Sequence, residues 1–245
     1  MPSGGTSRTE SRGRDVDDTL FDYTGSDRRG ALQHIEAERL LPRYASTEVA
    51  LARWREVMEE QFARFLSGEL GFLEHRRERA RGFLGTPLSD AEADAWFGRY
   101  VALYEQAWTL FPDALPALEA LTPHYRQGAL SNSSVANQER KLRRLGIRDR
   151  LEVLLCADEL GHAKPAPEAF RAGCAALGLP PGEVAYVGDR HDIDARAADE
   201  AGLHGIWLDR EGTGQGSGAS APVPAGAAVR RITGLGELPA LLTGL

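Results

Sequence analysis

From residue 112 onward the 245-residue chain alternates short apolar runs with amphipathic stretches, a grammar that few folds accept. The runs GALS at 128–131, EVLLC at 152–156, EVAYVGD at 183–189, GIWLD at 205–209 and AVRRI at 228–232 predict strands. Helices are predicted between them near 135–145, 166–177 and 194–202, several closed by Gly-containing LGI, LGL and AGL, as expected of helix C-caps. Strands that alternate with helices predict an α/β protein built on a parallel, doubly wound sheet. Residues 211–227, EGTGQGSGASAPVPAGA, have no apolar periodicity and are expected to be a flexible loop before the last strand and the helix ending in LPALL.

Upstream, from about Ala45 to Phe111, the pattern is helical instead. Leu51, Trp54, Met58, Phe62, Phe65 and Leu66 keep 3–4 spacing, which predicts one amphipathic helix. A second is predicted to start at Ser89, where SDAE places Glu92 three residues after a capping serine. It carries Trp96, Tyr100, Tyr104 and Trp108 at successive i+4 steps, a stripe expected to be packed core rather than a ligand wall. Apolar and charged fractions of 42% and 27% fit a globular chain rather than a disordered or fibrous one. The formal charge of −7 has the wrong sign for a nucleic-acid or anionic-membrane partner. Cys156 and Cys174 have neither disulfide-framework nor zinc spacing. No run approaches the roughly 20 apolar residues of a membrane span, and the first fourteen residues lack a signal-peptide core, so a cytoplasmic location is expected.

Four motifs could carry chemistry. In DVDDTLFD, Asp15 and Asp17 point to the same side of an extended chain and can share a divalent ion or divide nucleophile and acid/base roles. A solvated turn is the plainer reading of DxD alone. An EF-hand loop is excluded, because its twelfth position would be Ser26. In GALSNSS, Ser131 and Asn132 follow a predicted strand at the sheet edge where α/β proteins bind ligands; an ordinary helix N-cap is the alternative. In GHAKPAPEAF, Lys164 is one of two lysines, with Lys141, against 27 arginines. Its compact charge suits a phosphate, although a surface lysine is the competing reading. In VAYVGDRHDID, Gly188 permits a sharp turn, and Asp189 and Asp194 can reach a metal held by Asp15. His191-Asp192 resembles a metal dyad, but no other histidine has matching spacing, so His191 is expected to be a solvated loop residue.

In their order, DVDDT, LSNSS, AKP before a helix and VGDxxxxD resemble the haloacid dehalogenase (HAD) superfamily of hydrolases, over most of Asp15 to Arg210. The resemblance implies a Rossmann-like core at 15–22 and 112–245 and an inserted helical cap of the C1 type at 23–111. It implies that Asp15 is the nucleophile, forming an aspartyl-phosphate. Asp17 would protonate the leaving oxygen and then activate water. Mg²⁺ would be bound by Asp15, the Asp17 backbone carbonyl and Asp189, with Asp194 supporting the site directly or from behind. Ser131, Asn132 and Lys164 would hold the phosphoryl group. The family's dehalogenases attack carbon without metal and do not need the second acid, so Asp17 favours phosphoryl chemistry.

The implied function is a Mg²⁺-dependent phosphatase acting on a small phosphorylated metabolite, with the cap closing over the site. Alternatives are a phosphomutase of the same family, a catalytically impaired binding protein with the same fold, and a phospho-acceptor signalling module. The last is usually about half this length and lacks a helical insertion. One departure stands out: residues 1–14 are polar where the family has a hydrophobic central strand. Losing about four large apolar side chains removes on the order of 6–12 kcal/mol of burial. A poor or missing first strand, and activity weaker than the motifs imply, are therefore expected.

Overall fold

Ser11–Arg14, with no large apolar residue among them, nevertheless form strand β1 near the middle of a six-stranded sheet. In the computed structural model, which describes residues 11–212 and 229–245, β1 pairs in parallel with β2 (Arg126–Ser131) on one side and β4 (Val184–Gly188) on the other. A first strand is therefore present, contrary to a missing one. Its backbone groups are satisfied by two neighbours whatever its composition. Beyond β2 lies β3 (Val153–Cys156); beyond β4 come β5 (His204–Leu208) and β6 (Arg230–Ile232). Every pairing is parallel, and the order is β3-β2-β1-β4-β5-β6. This is the doubly wound arrangement, with its switch point between β1 and β4.

Contacts divide the chain into two units, Met1–Asp22 with Thr109–Leu245, and Tyr23–Trp108. The second unit contains α1 (Tyr23–Ala37), α2 (Thr47–Leu66), α3 (Phe72–Leu84) and α4 (Asp90–Gln106). The capping box read at Ser89 forms: its hydroxyl accepts from the Glu92 N–H, and the Glu92 carboxylate accepts from the Ser89 N–H at 2.9 Å. Trp54, Trp96, Phe97 and Tyr100 are buried in this unit's core, while Trp108 falls just past the end of α4. Phe62 is exposed. Helix α1 lies within the expected helical insertion but upstream of its two predicted amphipathic helices, its sequence YTGSDRRGALQHIEA being only weakly amphipathic. Gly30 lets it approach α4 closely; a Cβ there would lie 2.5 Å from the Tyr104 Cα.

In the sheet unit, α5 (Ala114–Leu121) follows the helical insertion, and α6 (Val135–Arg144), the single turn α7 (Ala157–Leu160) and α8 (Pro167–Ala176) lie between strands. After β4 the chain makes a π-turn, His191–Arg196, running into α9 (Ala197–Glu200), and α10 (Leu238–Leu242) closes the unit. Phe170 and Cys174 of α8 pack with Leu130, Val184 and Tyr186 on the sheet. Neighbouring Gln127 instead donates to the Leu118 carbonyl of α5 at 2.9 Å. Alternate β2 side chains thus meet different helices, the signature of a sheet covered on both faces. Among the described residues no helix is long and apolar enough to cross a membrane. Most of the stretch expected to be a flexible loop lies outside the described residues.

His34 on α1 is fully buried, with the Trp96 ring 4.3 Å away and no hydrogen-bond partner on either ring nitrogen. Burial lowers its pKa from 6.5 to about 4, with Glu38 opposing and Arg99 reinforcing the shift. Between these values the unfolded chain binds a proton that the native one does not, so stability falls as pH drops from 6.5 toward 4. The loss is on the order of 3 kcal/mol. Removing the titrating ring in His34→Leu should flatten the decline in melting temperature between pH 7.5 and 5. Parallel curves for variant and wild type would contradict this.

Candidate active site

The sheet itself brings the first and last motifs together. Arg14 is in register with Val187, and the Asp15 N–H donates to the Val187 carbonyl at 3.0 Å. Asp15 and Asp189 therefore leave adjacent strands at their carboxyl ends, on either side of the switch point, where doubly wound sheets bind ligands. Behind Asp15 the chain is anchored by Val16, Leu20 and Phe21, all fully buried. Asp18 adopts φ 52, a left-handed conformation that aspartate tolerates better than most residues. Arg210 pins this turn by donating to the Thr19 carbonyl at 2.8 Å while held by both oxygens of Asp113.

Lys164 is a buried ammonium, not a surface one. Its Nζ lies 2.9 Å from Asp15 Oδ2 and 2.7 Å from Asp194 Oδ1, and it donates to the Tyr186 hydroxyl at 2.9 Å. The Tyr186 hydroxyl in turn donates a hydrogen bond to the Leu130 carbonyl at 3.0 Å. Burial alone would depress the Lys164 pKa, but Asp15 and Asp194 outweigh it and hold the pKa well above the ordinary value. Burial raises the Asp15 pKa well above the carboxylate range; Lys164 opposes this, while Asp194, Asp189 and Asp17 add to it.

Asp194 reaches the cluster from the π-turn, fully buried, with Oδ2 accepting the Arg190 N–H at 3.0 Å. Gly188 makes room for it: a Cβ there would stand 2.4 Å from the Asp194 carboxyl. Ligand oxygens of Asp15, Asp189 and Asp194 all lie within 4.8 Å of one another. An all-carboxylate donor set of that size suits a hard divalent cation such as Mg²⁺. The residues present fit the ion that the motifs imply.

The Asp17 side chain belongs to a different set of contacts. Its Oδ1 is ion-paired with Lys141, and its Oδ2 accepts from Gln138 Nε2 at 2.9 Å. Gln138 Nε2 also reaches Ser131 Oγ at 2.9 Å, so one buried amide joins the second acid to the second motif. Asn132 links two of the motifs. Its carboxamide bridges the backbone of Lys164, accepting from the N–H at 2.7 Å and donating to the carbonyl at 2.8 Å. It aligns the second and third motifs. His191 is not solvated: it is buried, with its ring edge-on to Trp207 at 5.2 Å. Trp207 in turn donates to the Asp189 carbonyl at 3.0 Å.

A family model for haloacid dehalogenase-like hydrolases matches residues 15–202. The chain belongs to this family. It is 31% identical over 186 residues to the phosphoserine phosphatase of Thermus thermophilus, covering 74% of this chain and 66% of that relative. It is 27% identical over 252 residues to human N-acylneuraminate-9-phosphatase, covering 98% and 96% of the two chains. Among solved structures, magnesium-bound YfnB from Bacillus subtilis, a HAD hydrolase, superposes with a TM-score of 0.75 at 18% identity, over 96% of this chain and 99% of that one. That likeness shows the HAD fold.

Gln138 and Lys141 belong to none of the four motifs, and Tyr186 stands unmarked in the strand run of the fourth. For Lys141 a signal was available, since lysine is as rare at 141 as at 164 in this arginine-rich chain.

Proposed function

We propose that this HAD hydrolase is a Mg²⁺-dependent phosphatase that cleaves a small phosphate monoester through an aspartyl-phosphate on Asp15. The observation that carries the reading is Lys164 Nζ set between Asp15 and Asp194, beside three carboxylates close enough to share one cation. Such a cluster is costly without balancing positive charge. The names of the two relatives, both phosphatases of small molecules, support the same reaction class. The buried charge cluster around Lys164 speaks against a catalytically silent binding protein, which has no need of it.

In the first step the Asp15 carboxylate attacks phosphorus, the P–O bond to the leaving oxygen breaks, and Asp17 gives its proton to that oxygen. In the second, Asp17 takes a proton from water, the water oxygen bonds to phosphorus, and the P–O bond to Asp15 breaks to release inorganic phosphate. Ser131 and the backbone N–H of residue 132 bind the phosphoryl oxygens, and Lys164 offsets their charge. Bound to Asp15, Asp189 and the Asp17 carbonyl, with Asp194 behind, a Mg²⁺ ion would neutralise charge on nucleophile and phosphoryl group.

Phosphate release should be screened over a panel of phosphorylated metabolites, with and without Mg²⁺. At least one small monoester should be hydrolysed, the activity should vanish with chelator, and Mg²⁺ should restore it. Absence of release from every ester, or equal rates without metal, would overturn the reading. Phosphate appearing on a second hydroxyl of the substrate instead of in solution would identify a mutase.

A further inference from the structure

We infer that Lys141 and Gln138 of α6 are positioning residues for Asp17, fixing the acid/base carboxylate relative to the phosphate-binding serine. The inference rests on the phosphatase reading, which assigns Asp17 its proton transfers. Three observations carry it. The Lys141 side chain is 2% exposed, yet its ammonium faces Asp17, which is 32% exposed. A buried charge on a helix otherwise rich in solvated arginines is there for its partner. Gln138, three residues earlier on the same helical face, is fully buried and uses one amide nitrogen on two functional groups, Asp17 Oδ2 and Ser131 Oγ. The carboxylate also fixes which way this amide points, since the reverse orientation would set oxygen against oxygen.

The third observation is the pairing of lysines with acids. This chain uses arginine at 27 basic positions and lysine at two. Both lysines are buried at this sheet edge, and each faces one carboxylate of the first motif: Lys164 faces Asp15, and Lys141 faces Asp17. Lys141 Nζ also sits 4.4 Å from the centre of the Phe21 ring, so an aromatic face as well as a carboxylate contacts the ammonium. Helix α6 is itself fixed just after β2, with the Ser134 hydroxyl accepting from the Asn137 N–H at 3.3 Å. The position of Asp17 is thereby referred to the strand end that carries Ser131. Proton transfer depends steeply on such placement.

The test compares wild type, Lys141→Met, Lys141→Arg, Gln138→Leu and Asp17→Asn, plus the Lys141→Met/Asp17→Asn double variant. Each is assayed on p-nitrophenyl phosphate and on an alkyl phosphate that the wild type accepts. Lys141→Met should lower kcat about 100-fold on the alkyl ester, with KM changed less than about threefold. On the aryl ester, whose leaving group needs little protonation, the loss should be smaller. In the Asp17→Asn background the same substitution should cost less than about twofold, because it acts only through Asp17. Lys141→Arg should recover part of the loss. Equal losses on both esters, full additivity with Asp17→Asn, or unchanged kcat would each overturn the inference. If Lys141→Met does not fold, Gln138→Leu takes the same comparisons with the same deciding outcomes. Wild-type protein without Asp15-dependent turnover of any ester would sink the phosphatase reading and this inference with it. Turnover in the wild type with additive variants sinks the inference alone.

Discussion

Asp15→Asn is expected to lower kcat by at least about 10⁴-fold while leaving the metal-free protein equally stable or more so. The carboxamide is too poor a nucleophile to attack phosphorus. Its effect on stability has the opposite sign. In the metal-free protein, burial and three neighbouring acids disfavour the Asp15 anion, and Lys164 opposes them. A neutral side chain of the same shape relieves that repulsion. Lys164 keeps its ion pair with Asp194 at 2.7 Å. Denaturant melts in chelator beside steady-state rates with Mg²⁺ would check both halves. A variant that melts several degrees lower would mean that the carboxylate is holding the fold rather than serving the chemistry.

Lys164→Met is expected to abolish activity and also to destabilise the protein, by about 3–5 kcal/mol. It strands Asp15 and Asp194 in a buried site with no cation between them, and it leaves the Tyr186 hydroxyl without its donor. The orphaned carboxylates escape by binding protons, which the unfolded chain does not do above the ordinary carboxylate range. The destabilisation should therefore grow as pH rises and shrink below about pH 4. Adding Asp194→Asn to Lys164→Met should restore part of the stability and none of the activity. Denaturant titrations across pH would show this; a pH-independent loss would mean that the lost packing, not the stranded charge, is responsible.

Much of this site could be read from the chain because its parts are local signals. Three of the four motifs sit at a strand end, with Lys164 in the loop before α8, and a parallel sheet with this strand order necessarily gathers strand ends at one edge. The Ser89 box was legible for the same reason, being complete within four residues. What escaped was set by partners distant in sequence. NQERKLRR reads as an exposed basic helix, and nothing within it says that Gln138 and Lys141 face a carboxylate more than 120 residues away. His191 lies in a polar run, but the π-turn carries it back onto Trp207. The polar Ser11–Arg14 segment is a central strand because β2 and β4 supply hydrogen-bond partners on both sides, a property of its neighbours.

The proposed reaction requires Asp15 to become covalently phosphorylated within a carboxylate cluster that needs a divalent ion. Acid-quenching the enzyme during turnover of a reactive phosphate ester, followed by peptide mass spectrometry, tests this directly. The predicted result is one phosphoryl group on the peptide containing Asp15, present with Mg²⁺ and absent in chelator. Sustained phosphate release with the label on another residue, or with no covalent label at all, would contradict it.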